Sequence, residues 1–183
     1  GLLKVGRVRV SLSPSPFANA TGFRQELKLR DGAIETSAGL DGKKSRLRLW
    51  VDANRPVVHV EAACADPVQM KVAMESLRPT PTEWLGADTI VSGQKDRVVW
   101  YYKSQNTQVP QMLNRTIGAA MQGDGLVSAG DTALQSAKPQ THQRVSIHPL
   151  TVQCATQEEW ISKLDAQVAA TNTTAKDQAW KAH

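Results

Sequence analysis

Apolar and polar residues alternate one by one over most of the first 75 positions. Val8, Val10 and Leu12 alternate with Arg7, Arg9 and Ser11, and Phe23, Leu27 and Leu29 with Arg24, Glu26, Lys28 and Arg30. Leu47, Leu49 and Val51 are interleaved with Arg46, Arg48 and Trp50, and Val58, Val60, Ala62 and Cys64 with His59, Glu61 and Ala63. Val68, Met70, Val72 and Met74 continue the pattern against Gln69, Lys71 and Glu75. Successive side chains of a strand point to opposite faces, so each run predicts a half-buried strand whose apolar set looks inward.

Turn-forming stretches separate these runs: SPSPFANATG at 13–22, the Asp31-Gly32 dipeptide that fits a two-residue hairpin, the glycines and lysines around 39–44, and Asn54-Arg55-Pro56. Connections this short join antiparallel neighbours. Five strands in 75 residues need a second layer over their apolar face, which predicts a sandwich. Beyond Pro79-Thr80-Pro81, DTIVSG (88–93) and RVVWYYK (97–103) predict two more strands, while 104–122 shows no clean period. In HQRVSIHPLTVQC (142–154) the apolar parity changes at His148-Pro149, which predicts a bulge or an edge at the proline. Thr156 followed by Glu159 is a capping box, opening a helix with Trp160, Ile161, Leu164 and Val168 on one stripe. Thr174 with Asp177 suggests a second helix start. The chain is read as a mainly β domain over 1–154 followed by a helical linker over 155–183, cut out of something longer.

Composition narrows the function classes. A chain of 183 residues, 40% hydrophobic and 21% charged, suits one globular domain, and no window approaches the roughly 20 apolar residues of a membrane span. No membrane partner is expected. The net charge of +5 is concentrated in residues 1–55, with eleven Lys or Arg against five Asp or Glu, whereas the rest holds eleven against twelve. Those cations alternate with apolar residues, as on the wet face of an antiparallel sheet, and form no readable basic helix, so no nucleic-acid partner is expected. Cys64 and Cys154 fit no metal-ligand spacing. A disulfide between them is allowed, but their inward parity favours two buried thiols.

Candidate chemistry is sparse. GDGLVSAGD at 123–131 lacks the lysine and helix of a phosphate loop and the ligand spacing of a calcium loop, and reads as two turns around a short strand, Leu126 to Ser128. His59, His142, His148 and His183 do not cluster, so no metal site is expected. No pair of carboxylates suggests glycosidase chemistry, and no catalytic residue or cofactor is assigned. The aromatic residues give a softer signal: Trp50 projects from the polar parity of its strand, and Trp100 and Tyr102 share one side of theirs. If exposed, they would stack on sugar rings or receive another domain; a covering sheet or loop is the favoured alternative.

The segments VGRVRVSLSPSPF, FRQELKLRDG, LRLWVDANRPVVHVE, DRVVWYY, LNRTIGAAMQGDGLVS and SIHPLTVQCATQEEWISKLD together resemble a family of bacterial N-terminal domains of uncharacterised function, found at the front of large glycoside-hydrolase-like proteins. The resemblance runs from about residue 4 to about residue 180. It implies an antiparallel β-supersandwich like the N-terminal domain of alpha-L-fucosidase-type (family 95) and phosphorylase-type enzymes, joined by linker helices to an (α/α)6 barrel that carries the catalytic acids. The implied role is a non-catalytic module whose partner is its own C-terminal barrel, exported to the periplasm or secreted if the parent degrades polysaccharides. Asn114 and Arg115 are the polar residues singled out within the matching segments, as buried hydrogen bonders or interface groups. The alternative is a free-standing carbohydrate-binding protein that grips an oligosaccharide with Trp50, Trp100 and Tyr102. An exposed apolar patch near Trp160 and Trp180 would favour the module.

Overall fold

The computed structural model describes residues 4–40, 42–83, 85–173 and 176–183, without the side chains of 176 and 177. The helix start expected at Thr174 with Asp177 therefore lies outside the described residues. Strands β1 (Arg7–Ser13), β2 (Arg24–Lys28), β3 (Ala33–Ala38), β4 (Ser45–Val51) and β5 (Val58–Glu75) lead the chain. They are followed by β6 (Thr89–Val91), β7 (Arg97–Lys103), β8 (Arg115–Gly123), β9 (Leu126–Ser128), β10 (Ala133–Ser136) and β11 (Gln140–Gln153). Helices α1 (Gln157–Asn172) and α2 (Lys176–Ala182) close it. The fold is mainly β and antiparallel, with helices at the C-terminal end, as the alternation predicts.

The large sheet has the order β2-β3-β4-β5-β11-β8-β7-β6, and β1, β10 and β9 form a smaller second layer. The 18-residue strand β5 belongs to both. Its first half pairs with β4 and β11, and Gln69 to Glu75 pair with β1 while Lys71 to Ala73 pair with β10. The sequence suggested two strands here, ending at Cys64 and starting at Val68. The structure joins them because Cys64 and Val68 keep the same parity on either side of the exposed Asp66, and Pro67 falls between the β4 ladder, which stops at Ala63, and the β1 ladder, which starts at Gln69.

Between the layers lie Val60, Ala62, Cys64, Met70 and Val72 of β5, Trp100 of β7, Met121 of β8, Val145 of β11 and Leu134 of β10. On the opposite, outer face of the large sheet, α1 packs Trp160, Leu164 and Val168 over Val99, Tyr101, Ala120 and Cys154. The Thr156 side chain accepts the Glu159 N–H at 3.2 Å, and the Glu159 carboxylate reaches back to accept the N–H of Ala155, one residue before the cap, at 3.0 Å, a variant of the expected capping box. Strand β8, which lies under both layers, escaped sequence reading for that reason: Ala119 and Met121 face one core and Ala120 the other, so no alternation survives. A Cβ on Gly118 would lie 2.2 Å from the Trp100 carbonyl oxygen, so only glycine lets β7 and β8 approach there.

The parity change in β11 is no bulge. The strand pairs with β8 in unbroken register from Val145 to Gln153, and its register shift lies between Gln140 and His142. What changes is the covering layer: Val145 and Ile147 face the small sheet, Leu150 and Val152 face α1. Pairing with β5 stops at Ile147, so Pro149 does stand on an open edge.

Strands β2 and β4 depart most from expectation. The run Phe23 to Arg30 ends as a strand at Lys28, and Leu29–Asp31 form a 3-10 turn closed by Gly32 at φ +55°, in place of a two-residue hairpin. Phe23, Leu27 and Leu29 were expected inward but are 58%, 64% and 82% exposed. The small sheet does not reach Leu27, Ile34, Leu49 and Val51, whereas at the other end of the same face Ala38 and Ser45 are buried and Leu47 packs against the core.

Candidate functional site

The singled-out residues are spread over three places. Trp50, expected on a wet face, is fully buried on the outer face of β4. His59, directly opposite it on β5, brings its ring to 4.3 Å between centroids. Helix α2 lays Trp180 and His183 on Trp50 at 5.2 and 5.1 Å. The indole N–H of Trp50 donates to Glu61 Oε1 at 3.4 Å, and the Arg48 guanidinium sits 4.3 Å over the Trp180 ring. A Cβ on Gly32 would lie 2.7 Å from His183 Nε2, so the same glycine closes the β2–β3 turn and admits this ring. The stripe is a seam that fastens α2, and it leaves Trp50 no face for a sugar.

Trp100 is 1% exposed between the sheets and donates its indole N–H to the Val5 carbonyl at 2.8 Å. Tyr102, on the same side of β7, is 4% exposed, with the Arg78 guanidinium 5.0 Å from its ring centre. Arg78 is itself buried and paired with Asp88, whose carboxylate also accepts from the Ser76 hydroxyl at 2.7 Å. An open cleft of about 710 Å³ lies beside Tyr101 and Tyr102, walled by Thr82, Ser104, Gln105 and Asn106. A covering sheet thus accounts for Trp100, as the favoured alternative has it, whereas Trp50 is covered by helix α2 and not by a sheet or loop.

Asn114 takes the left-handed conformation at φ +57°. Its N–H donates to the Ser104 carbonyl at 3.0 Å, and its own carbonyl accepts from the Cys154 N–H at 3.1 Å. Arg115 donates from Nε to the Gln111 carbonyl at 3.1 Å. The pair is half-buried and ties the start of β8 to the ends of β7 and β11.

Two features of the large sheet were invisible without its register. On the outer face Glu35, Arg48, Glu61 and Arg144 stand directly opposite one another across β3, β4, β5 and β11. Glu35 Oε1 binds Lys28 Nζ at 3.1 Å and its Oε2 meets Arg48 at 3.4 Å, while Glu61 Oε1 binds Arg144 at 3.0 Å. Burial works to raise the Glu35 carboxyl, but the Lys28 hydrogen bond and charge, with Arg46 and Arg48 behind, outweigh it and hold the group below its ordinary range. On the inner face, Leu27, Ile34 and Leu49 form a cross-strand row leading to Val60, flanked by Gln25, Thr36, Leu47 and Val51. None of these flanking or row side chains is charged. Ile34, Leu49 and Val51 are 39%, 38% and 52% exposed. The exposed patch near Trp160 and Trp180 that would have favoured the module reading is not there, since Trp160 is fully buried and Trp180 is packed on Trp50.

The glycine-rich stretch behaves as its spacing implies: Gly125 and Gly130, at φ +70° and +100°, bracket β9. Both cysteines are free and buried, in cores on opposite faces of the large sheet, which rules out their pairing in this fold. Burial pushes the Cys64 thiol up despite a hydrogen bond from Ser45. Among the described residues no group of three His, Cys, Asp or Glu is placed to hold a metal ion, and no helix is long and apolar enough to cross a membrane. Residues 1–111, which span β1 to β7, match the family described as a domain of unknown function, DUF5703, in its N-terminal model, and the chain belongs to that family. No curated protein matches it.

Proposed function

We propose that this member of the DUF5703 family is a non-catalytic module of a glycoside hydrolase. In that role it packs on an (α/α)6 catalytic barrel and helps shape the barrel's sugar site. The observation that carries the reading is the uncharged inner face of β2, β3 and β4, where Leu27, Ile34, Leu49 and Val51 stand open to solvent. Open apolar side chains gathered on one face in this way mark a contact with another domain. The chemistry of the chain agrees with a supporting role: Glu35, Glu61, Asp88 and Glu159 are each held by a cation. The linker helices α1 and α2 pack on the face opposite the bare one, so both faces of the sheet are used.

The test is amide exchange on the natural full-length polypeptide and on this 183-residue domain. Contact with a barrel slows exchange over 24–51 in the longer chain, and Leu27→Asp with Leu49→Asp reverses that protection and lowers glycosidase activity. Equal exchange in both chains sinks the reading. The free-standing carbohydrate-binding alternative keeps one observation in its favour, the cleft beside Tyr101 and Tyr102 with its hydroxyl and amide walls. It requires an oligosaccharide to shift amide signals of 82–89 and 104–108 in the isolated domain.

A further inference from the structure

The geometry points to a binding site for a single oxyanion, a carboxylate or phosphate group carried by a small ligand, in the notch above Ala63 on the outer face of the large sheet. Arg46, Ala63 and His142 are directly opposite one another on β4, β5 and β11. Adjacent strands lie about 4.8 Å apart, so the methyl group of Ala63 leaves a trough one strand wide between two long side chains that carry nitrogen donors. That trough opens into a cavity of about 420 Å³ bounded by Arg48, Glu61, Asp124 and Arg144.

Charge fixes the class of ligand. In the neighbouring row two carboxylates serve four cations: Glu35 meets Lys28, Arg46 and Arg48, and Glu61 meets Arg48 and Arg144. Asp124 supplies one further negative charge at the rim, which leaves the group one positive charge in excess before His142 is counted. Arg46 meets Glu35 only at 3.8 Å, whereas Lys28, Arg48 and Arg144 each hold a carboxylate at 3.4 Å or less, and its side chain is 46% exposed, so its guanidinium is placed to turn over Ala63. A planar or tetrahedral oxyanion seated there accepts from Arg46 and from the His142 ring, the fork geometry that favours arginine for such groups. A neutral ligand leaves the excess charge unanswered. The proposal does not depend on the docking role of the inner face, because the notch lies on the opposite side of the sheet.

The experiment is a titration of the domain, followed by amide shifts, with D-glucuronate, inorganic phosphate and D-glucose. Saturable shifts at Ala63 and His142 with glucuronate or phosphate, and none with glucose, are expected; the anion that saturates at lower concentration identifies the source of the oxyanion. Arg46→Gln weakens that binding at least fivefold. Ala63→Leu fills the trough without altering charge and abolishes the shifts, with the remaining amide spectrum unchanged. The proposal is overturned if neither anion shifts these residues, or if Ala63→Leu binds as well as the native chain, which would reduce the effect to general screening of a basic surface.

Discussion

Leu49 and Val60 stand opposite each other on neighbouring strands, point to the same face and belong to equally regular alternating runs, yet Leu49 is 38% exposed and Val60 4%. The boundary between β4 and β5 divides the large sheet into two regimes. From β5 to β7 the small sheet covers one face, while helices take much of the other; from β2 to β4 the inner face is open along the row Leu27, Ile34 and Leu49. An alternating strand therefore states which side chains share a face, and leaves open whether that face is covered. Burial is decided by the reach of the second layer.

The largest expected effect lies in the doubly covered half. Trp160→Ala empties a fully buried site under α1 and should cost about 4 kcal/mol, read as a fall in the urea midpoint. Should it cost no more than a change on the bare face, the contrast between the two halves fails. Thr156→Ala removes the cap of the same helix and should cost about 1 kcal/mol in the same measurement.

A smaller effect is expected at the ladder where the two halves meet. The Glu35 carboxyl is held below its ordinary range, so its contribution is present above the unfolded carboxylate range and is lost as pH falls through the lower folded value. Glu35→Gln should therefore flatten the acid side of the stability curve by roughly 0.5 to 1 kcal/mol, the scale of a network at a surface. An unchanged slope would mean that the four-strand ladder carries no net stability. Smallest of all, Leu27→Ser on the bare inner face should move the isolated domain's urea midpoint by the equivalent of about 0.5 kcal/mol or less. A larger loss would show that this face is already packed in solution.

Much of the β architecture could be read from the sequence because period-2 alternation survives wherever a strand has one wet face, as in β1 and the two halves of β5. The helix start at Thr156 was equally plain, since capping is local chemistry. Strands β3, β8 and β10 were not found: β8 is buried on both faces, and β3 and β10 are short runs of small and polar residues without a strong apolar parity. The sites were harder still. Trp50 looked wet because its strand neighbours on the same parity are arginines, and only the placement of α2, distant in sequence, turns that position into a core. The Glu35–Arg48–Glu61–Arg144 ladder and the Ala63 notch exist only through cross-strand register, which no single run of residues encodes.

Because β5 supplies backbone to both layers, the domain has no seam along which it can come apart in stages. Breaking the chain near Asp66 would leave the first fragment with β1 deprived of its partner and the edge of Val58–Ala63 bare, and the second with β11 bare along that same edge and β10 on a strand that had lost β1. Neither piece would be a smaller sandwich. The two would be obligate complements.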